Sequence, residues 1–262
     1  MSATWILLRG LTRESRHWAD FPAILQQALP GIRVATPDLP GNGRLNRISS
    51  PLTIEEMAER CRADMASAGW EPPYCLLAMS LGAMVATAWA DRHPEEVSGC
   101  VLVNTSLRGL SPFHQRLSAR HYAALLRLAV VGDALAWESF ILRATSRLRR
   151  GERAVLSEWV RYRTEQPVSR TNALRQLIAA LRYRAPPARP AVPVLLLSSG
   201  ADELVDPRCS SALARHWRVP LAIHSHAGHD LPLDDPAWVA REVAQWWQDR
   251  PVQCAATRRP QI

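Results

Sequence analysis

Apolar residues fall along this chain in two alternating rhythms. Short, nearly continuous apolar runs bounded by turn residues occupy residues 4–8, 33–36, 74–78, 99–103, 192–197 and 221–224, and each predicts a buried strand. Between them, residues 15–29, 54–68, 81–91, 207–216 and 235–248 repeat apolar positions at helical spacing. Strands that alternate with helices imply parallel neighbours joined by crossovers, and continuous rather than alternating apolar runs imply strands covered on both faces. The predicted fold is therefore α/β: a mostly parallel sheet of about six strands with helices on both faces.

One interval breaks the rhythm. From Leu107 to Arg184 no strand pattern appears, while "HYAALLRLAVVGDALAWESFILRATSRLRR" and "ERAVLSEWVRYRTEQ" carry helical spacing with arginines between the apolar positions. This predicts a helical insertion, and the proline-rich "RAPPARPAVP" leads back to the sheet. The expected organisation is a core of residues 1–106 and 187–250, a helical cap of residues 107–186, and a flexible tail of residues 251–262, where periodicity is lost.

Composition narrows the class. At 262 residues, with 47% hydrophobic and 21% charged, the chain suits one globular core, and no apolar run approaches the roughly 20 residues that span a bilayer. The amino-terminal "MSATWILLRGLTRE" lacks a basic region before its short apolar run, so a cytoplasmic location is expected. Five cysteines without a CxxC pair argue against a disulfide framework or zinc cluster and read as buried thiols. The formal charge of +8 comes from dispersed arginines with no lysine, and no nucleic-acid motif accompanies them.

Candidate chemistry centres on "CLLAMSLGAMV". Ser80 stands between a strand and a helix, with the small residues Ala78 and Gly82 two positions either side, as a sharp turn requires. A helix N-cap would also place a serine here. A serine hydroxyl needs an imidazole to accept its proton and an acid to orient that imidazole. His229, in "HSHAGHDLP" after the last strand, is the better base than His224 or His226. Asp202, in "SSGADELVDP" after the fifth strand, is the expected acid, with Glu203 and Asp206 as competitors.

The order Ser80, Asp202, His229, together with "RGLTRESRHW", "DLPGNGR" and the insertion after the fourth strand, resembles the α/β-hydrolase family over nearly the whole chain. The family often has His-Gly where this chain has Arg9-Gly10, and histidine where it has Asn42. The acid that some relatives carry after the fourth strand is replaced by Asn104, which favours Asp202. The resemblance implies a serine esterase acting on a small-molecule acyl ester, with backbone N–H groups of Leu11 and Leu81 as the oxyanion hole and no metal or organic cofactor. Carrier-linked esters, thioesters, carbon–carbon bonds, or ligand binding without catalysis are the alternatives. Trp137, Phe140, Trp159 and Tyr162 are candidate substrate-lining residues of the cap. The arginines of the cap read as a solvated face, or as a docking surface for an acidic carrier protein, as in the carrier-protein methyl ester esterases that the chain distantly resembles.

Overall fold

The computed structural model describes residues 3–249. Six strands, β1 (Thr4–Leu8), β2 (Arg33–Ala35), β3 (Tyr74–Met79), β4 (Val97–Val103), β5 (Val194–Ser199) and β6 (Leu221–His224), form one sheet in the order β2-β1-β3-β4-β5-β6. Every neighbouring pair is parallel. Strand alternation divides the core in two. Ile6, Leu8, Leu76, Ala78, Cys100, Leu102 and Leu196 face one side, against α2 (Ile54–Ser67), α3 (Leu81–Arg92) and α9 (Arg208–Trp217). Trp5, Leu7, Cys75, Leu77, Val101, Val103 and Leu197 face the other, against α1 (Phe21–Ala28) and α11 (Pro236–Gln248). Both faces are dry, which is why the strands read as continuous apolar runs.

The helix expected over residues 15–29 is divided. A 3₁₀ turn at Ser15–Trp18 is followed by Ala19 at φ 47°, and the chain re-enters helix only at Phe21. Apolar spacing carries through this interruption because Trp18, Phe21 and Leu25 all face the same core. The four-residue α10 (Leu231–Asp234) precedes α11. Cys61, Cys75, Cys100 and Cys209 are buried thiols, whereas Cys254 and the tail of residues 251–262 lie outside the described residues.

Between β4 and β5 the chain forms α4 (Phe113–Arg116), α5 (Tyr122–Val131), α6 (Ala134–Thr145), α7 (Arg153–Glu165) and α8 (Arg170–Arg182). The ends of this segment meet: Ala185 N–H donates to Arg108 O at 3.1 Å, beside a parallel bridge between Arg108 and Arg184. The helices are tied to loops at the carboxyl ends of the strands. Glu138 of α6 accepts from Arg13 after β1, Asn172 of α8 accepts from Ser50 N–H after β2, and Ser118 donates to Leu204 O after β5. Among the described residues, no helix is long and apolar enough to cross a membrane.

Candidate active site

Ser80 occupies the turn between β3 and α3 with φ 55° and ψ −119°, a conformation that costs a non-glycine residue about 1–3 kcal/mol. The surroundings enforce it. Ser80 N–H donates to Val103 O at 2.9 Å, and Thr105 Oγ1 donates to Ser80 O at 3.2 Å. A Cβ on Gly82 would lie 2.5 Å from the carbonyl oxygens of both Leu8 and Arg9, so only glycine lets α3 come this close to β1. No N-cap hydrogen bond from the Ser80 side chain is present, and the residue is half-exposed. The hydroxyl is thus available at the amino-terminal end of α3, where the helix dipole favours developing negative charge.

The structure brings Asp202 and His229 together. Asp202 Oδ2 is 2.7 Å from His229 Nδ1, and the two side chains are 1% and 4% exposed. The other oxygen, Oδ1, accepts from Leu204 N–H at 2.8 Å and Val205 N–H at 2.9 Å. One oxygen of this carboxylate is thus fixed by two backbone donors, which leaves the other facing the imidazole. Glu203, by contrast, pairs with Arg120 and Arg147, and Asp206 pairs with the exposed Arg208. Burial pulls the His229 imidazole toward its neutral form, but the charge and hydrogen bond of Asp202, reinforced by Asp230 and opposed by Arg9, leave its pKa raised.

Asn104, considered in the sequence only as a missing acid, ties this pair to Ser80. It sits at φ 46° directly after β4, where asparagine tolerates the left-handed region. Its Nδ2 donates to His229 O at 2.8 Å and to Ser199 Oγ at 2.9 Å, while Oδ1 accepts from Ser199 N–H at 2.8 Å. Val103, Asn104 and Thr105 therefore hold the Ser80 turn and the His229 loop from one three-residue segment. The only sequence signal was a polar residue directly after the apolar run that closes β4.

The remaining expected residues are placed as follows. Leu81 opens α3, so its N–H has no intrahelical acceptor. Leu11 follows Gly10, whose position is close enough to Ser80 that a Cβ there would lie 3.2 Å from Ser80 Cβ. Phe140 lines a cleft of about 510 Å³ together with His121, Arg143, Ala144, Arg150 and Glu203. Trp159 and Tyr162 are buried with Leu142, against His17, and the guanidiniums of Arg13 and Arg16 lie 3.9 and 4.3 Å from their ring centroids. Trp137 is half-buried under Arg163. His17 is buried, and burial, followed by the charges of Arg13, Arg9 and Arg163, keeps its pKa well below the ordinary value. Among the described residues, the ligand atoms of His93, Glu95 and Glu96 converge as a metal site would need, but His93 engages Glu59 and Glu95, and Glu96 engages Arg62 and Trp89, at the carboxyl-terminal end of α3.

A parallel sheet with a strained serine turn after its third strand defines a nucleophile-elbow fold. The model of the alpha/beta hydrolase family matches residues 5–242, and the chain belongs to that family. Among solved structures, an esterase from Thermogutta terrifontis is similar with a TM-score of 0.74 and 21% identity, covering 95% of this chain and 90% of that one. An enol-lactonase from Burkholderia xenovorans LB400 is similar with a TM-score of 0.77 and 18% identity, covering 95% and 92%. At these identities the likeness concerns the fold. Among curated proteins, a pimeloyl-[acyl-carrier protein] methyl ester esterase of Chromobacterium violaceum is 34% identical over 92 residues. That match spans 35% of this chain and 34% of the relative's length.

Proposed function

We propose that the protein hydrolyses carboxylic esters through a Ser80 acyl-enzyme. His229 takes the Ser80 proton as Oγ attacks the ester carbonyl, then delivers it to the departing alkoxide. Water next attacks the acyl-serine, giving its proton to His229, and the acid leaves as Ser80 is reprotonated. Asp202 holds the imidazole in one tautomer and stabilises the imidazolium. The N–H groups of Leu81 and Leu11 receive the oxyanion. The observation that carries this reading is the buried Asp202–His229 bond, joined through Asn104 and Thr105 to a serine held in a strained turn. We read the helices of residues 107–186 as a cap and the cleft bordered by Phe140 as the acyl pocket.

A carrier-linked ester is the second reading, favoured by the 92-residue match to a carrier-protein methyl ester esterase. The deciding experiment is a panel of 4-nitrophenyl esters of increasing acyl length, assayed beside Ser80→Ala and with a serine-directed phosphonate. Turnover lost by about a million-fold in the variant, and a phosphonate adduct on Ser80 alone, are expected. Turnover surviving in purified Ser80→Ala refutes the nucleophile, and ester binding with neither turnover nor a phosphonate adduct would make the protein a ligand receptor.

A further inference from the structure

The loop after β1 adopts a conformation its own sequence does not favour. Arg13 N–H donates to Gly10 O at 3.2 Å, closing a four-residue turn whose third residue, Thr12, has φ 57°. Positive φ at that place defines a type II turn, which ordinarily places glycine there. A β-branched threonine is a poor occupant of the left-handed region. Left to itself, such a sequence prefers the type I turn, in which the Leu11–Thr12 peptide is turned over.

Two buried side chains hold the turn in place. Gln176 of α8 reaches the loop from 164 positions away in sequence, and its Oε1 accepts from Thr12 N–H at 2.9 Å. Asn42, after β2, donates from Nδ2 to Arg13 O at 2.9 Å. The two are bonded to each other, Gln176 Nε2 donating to Asn42 Oδ1 at 2.8 Å, and Gln176 Nε2 also reaches Ser50 Oγ at 3.1 Å and Pro40 O at 3.4 Å. Gln176 is 1% exposed and Asn42 is fully buried. Thus the peptide that follows Leu11 is gripped at its N–H by a helix of the insertion, and the carbonyl of Arg13, which closes the turn, is gripped by Asn42, a residue that the same glutamine orients.

We propose that Gln176, oriented by Asn42, is a positioning residue for the oxyanion loop: by holding Thr12 N–H it keeps the Gly10–Arg13 turn in its type II form, and so fixes where Leu11, whose N–H belongs to the preceding peptide, sits against the reacting carbonyl. This rests on the Ser80 reading above. Gln176 touches no reacting atom, and its effect passes through the Leu11–Thr12 peptide. The cost of a loosened donor falls on the transition state, where the oxyanion exists, and so appears in kcat rather than KM.

The test uses full-length protein and a 4-nitrophenyl ester. Gln176→Leu is expected to lower kcat by about 10- to 100-fold, short of the full loss of a donor, with KM changed by less than about threefold. Adding Thr12→Gly to Gln176→Leu supplies the residue the turn prefers and is expected to recover most of that kcat. Asn172→Ala, which removes the bonds of α8 to Ser50 N–H, Asn46 O and Ile48 O without touching Gln176 or the turn, should keep kcat within about twofold of wild type. Equal losses for Asn172→Ala and Gln176→Leu, with no recovery by Thr12→Gly, would overturn the proposal, because they would mean that general docking of α8 is what matters. A second measurement is independent of esterase activity, so the failure of the Ser80 reading remains distinguishable. In native-state hydrogen exchange the Thr12 amide should be protected in wild type and exchange at least about tenfold faster in Gln176→Leu. Unchanged protection overturns the proposal whatever the turnover shows.

Discussion

Arg9 and Asp230 meet as a two-pronged ion pair, Nη1 to Oδ1 at 3.1 Å and Nη2 to Oδ2 at 2.5 Å, with 3% of each side chain exposed. The pair joins the loop after β1 to the residue that follows His229. The Arg9 guanidinium also lies 4.7 Å from the ring centroid of Trp18, so a histidine-to-arginine departure at this position has been built into the packing.

Breaking such a pair from one side leaves a buried, unpaired charge. Arg9→Met is expected to lower the unfolding free energy by about 3–5 kcal/mol in urea denaturation. The double variant Arg9→Met with Asp230→Leu removes both charges and should regain most of that loss. Equal losses in the single and double variants would show that the charges do not act as a unit.

The raised pKa of His229 has a defined sign. Its protonated form is favoured by folding, so its contribution to stability is full below the ordinary value of 6.5 and is lost as pH rises through the higher folded value. The unfolding free energy of wild type relative to His229→Gln should therefore be largest on the acid side and shrink upward. Turnover needs the neutral ring and runs the other way, so kcat/KM should rise with pH to a plateau, with its midpoint above 6.5. In Asp202→Asn burial acts with less opposition, and the midpoint should fall while kcat drops by about 10⁴. Asp206→Asn, which touches only the exposed Arg208 side of its loop, should leave the profile in place. An unshifted midpoint in Asp202→Asn would move the acid role to another residue.

Asn104 offers a test of how the two halves of the site are joined. Asn104→Asp keeps the backbone conformation and the acceptor for Ser199 N–H but loses the donor to His229 O, placing a carboxylate against a carbonyl oxygen. Stability should fall by about 1–3 kcal/mol and kcat by roughly 10- to 100-fold, since small misplacements of the base are costly. Wild-type values in both urea denaturation and ester turnover would remove Asn104 from any positioning role.

The sheet was legible because both-sided burial leaves an unmistakable mark: β1 and β3 are apolar at nearly every position and β5 opens with four apolar residues in a row, as a covered strand does. Ser80, Asp202 and His229 were legible for a related reason, since each lies in a loop immediately after or close to the end of such a strand. What stayed hidden depends on tertiary contacts. Ala19 breaks the first helix through a positive φ that no residue type announces. Asn42, Asn104 and Gln176 act through amides that must be both donor and acceptor to partners up to 164 positions away, and nothing local distinguishes them from surface amides. The insertion was recognised as helical, but its short α4 and the 3₁₀ turn at Ala119–His121 lack the length over which helical spacing can be counted.

The arginines of the insertion separate a small-ester enzyme from one that docks a carrier protein. Arg147 Nη1 lies 2.8 Å from Glu203 Oε1, and Arg149 Nη1 lies 3.0 Å from Glu152 Oε2, with the arginine side chains 37% and 41% exposed. Charges already matched in this way project little field beyond a Debye length of about 8 Å at physiological salt, and exposed pairs of this kind are worth about 0–1 kcal/mol each. Replacing Arg147 and Arg149 together by glutamine is accordingly expected to leave kcat/KM for small neutral esters within about twofold. It should do the same for an ester presented on an acidic acyl carrier, and both proteins should respond to added salt with the same slope. A loss confined to the carrier substrate, with a flattened salt dependence in the double variant, would instead show that these residues attract a macromolecular anion over distance, and the outer face of the insertion would then be its docking surface.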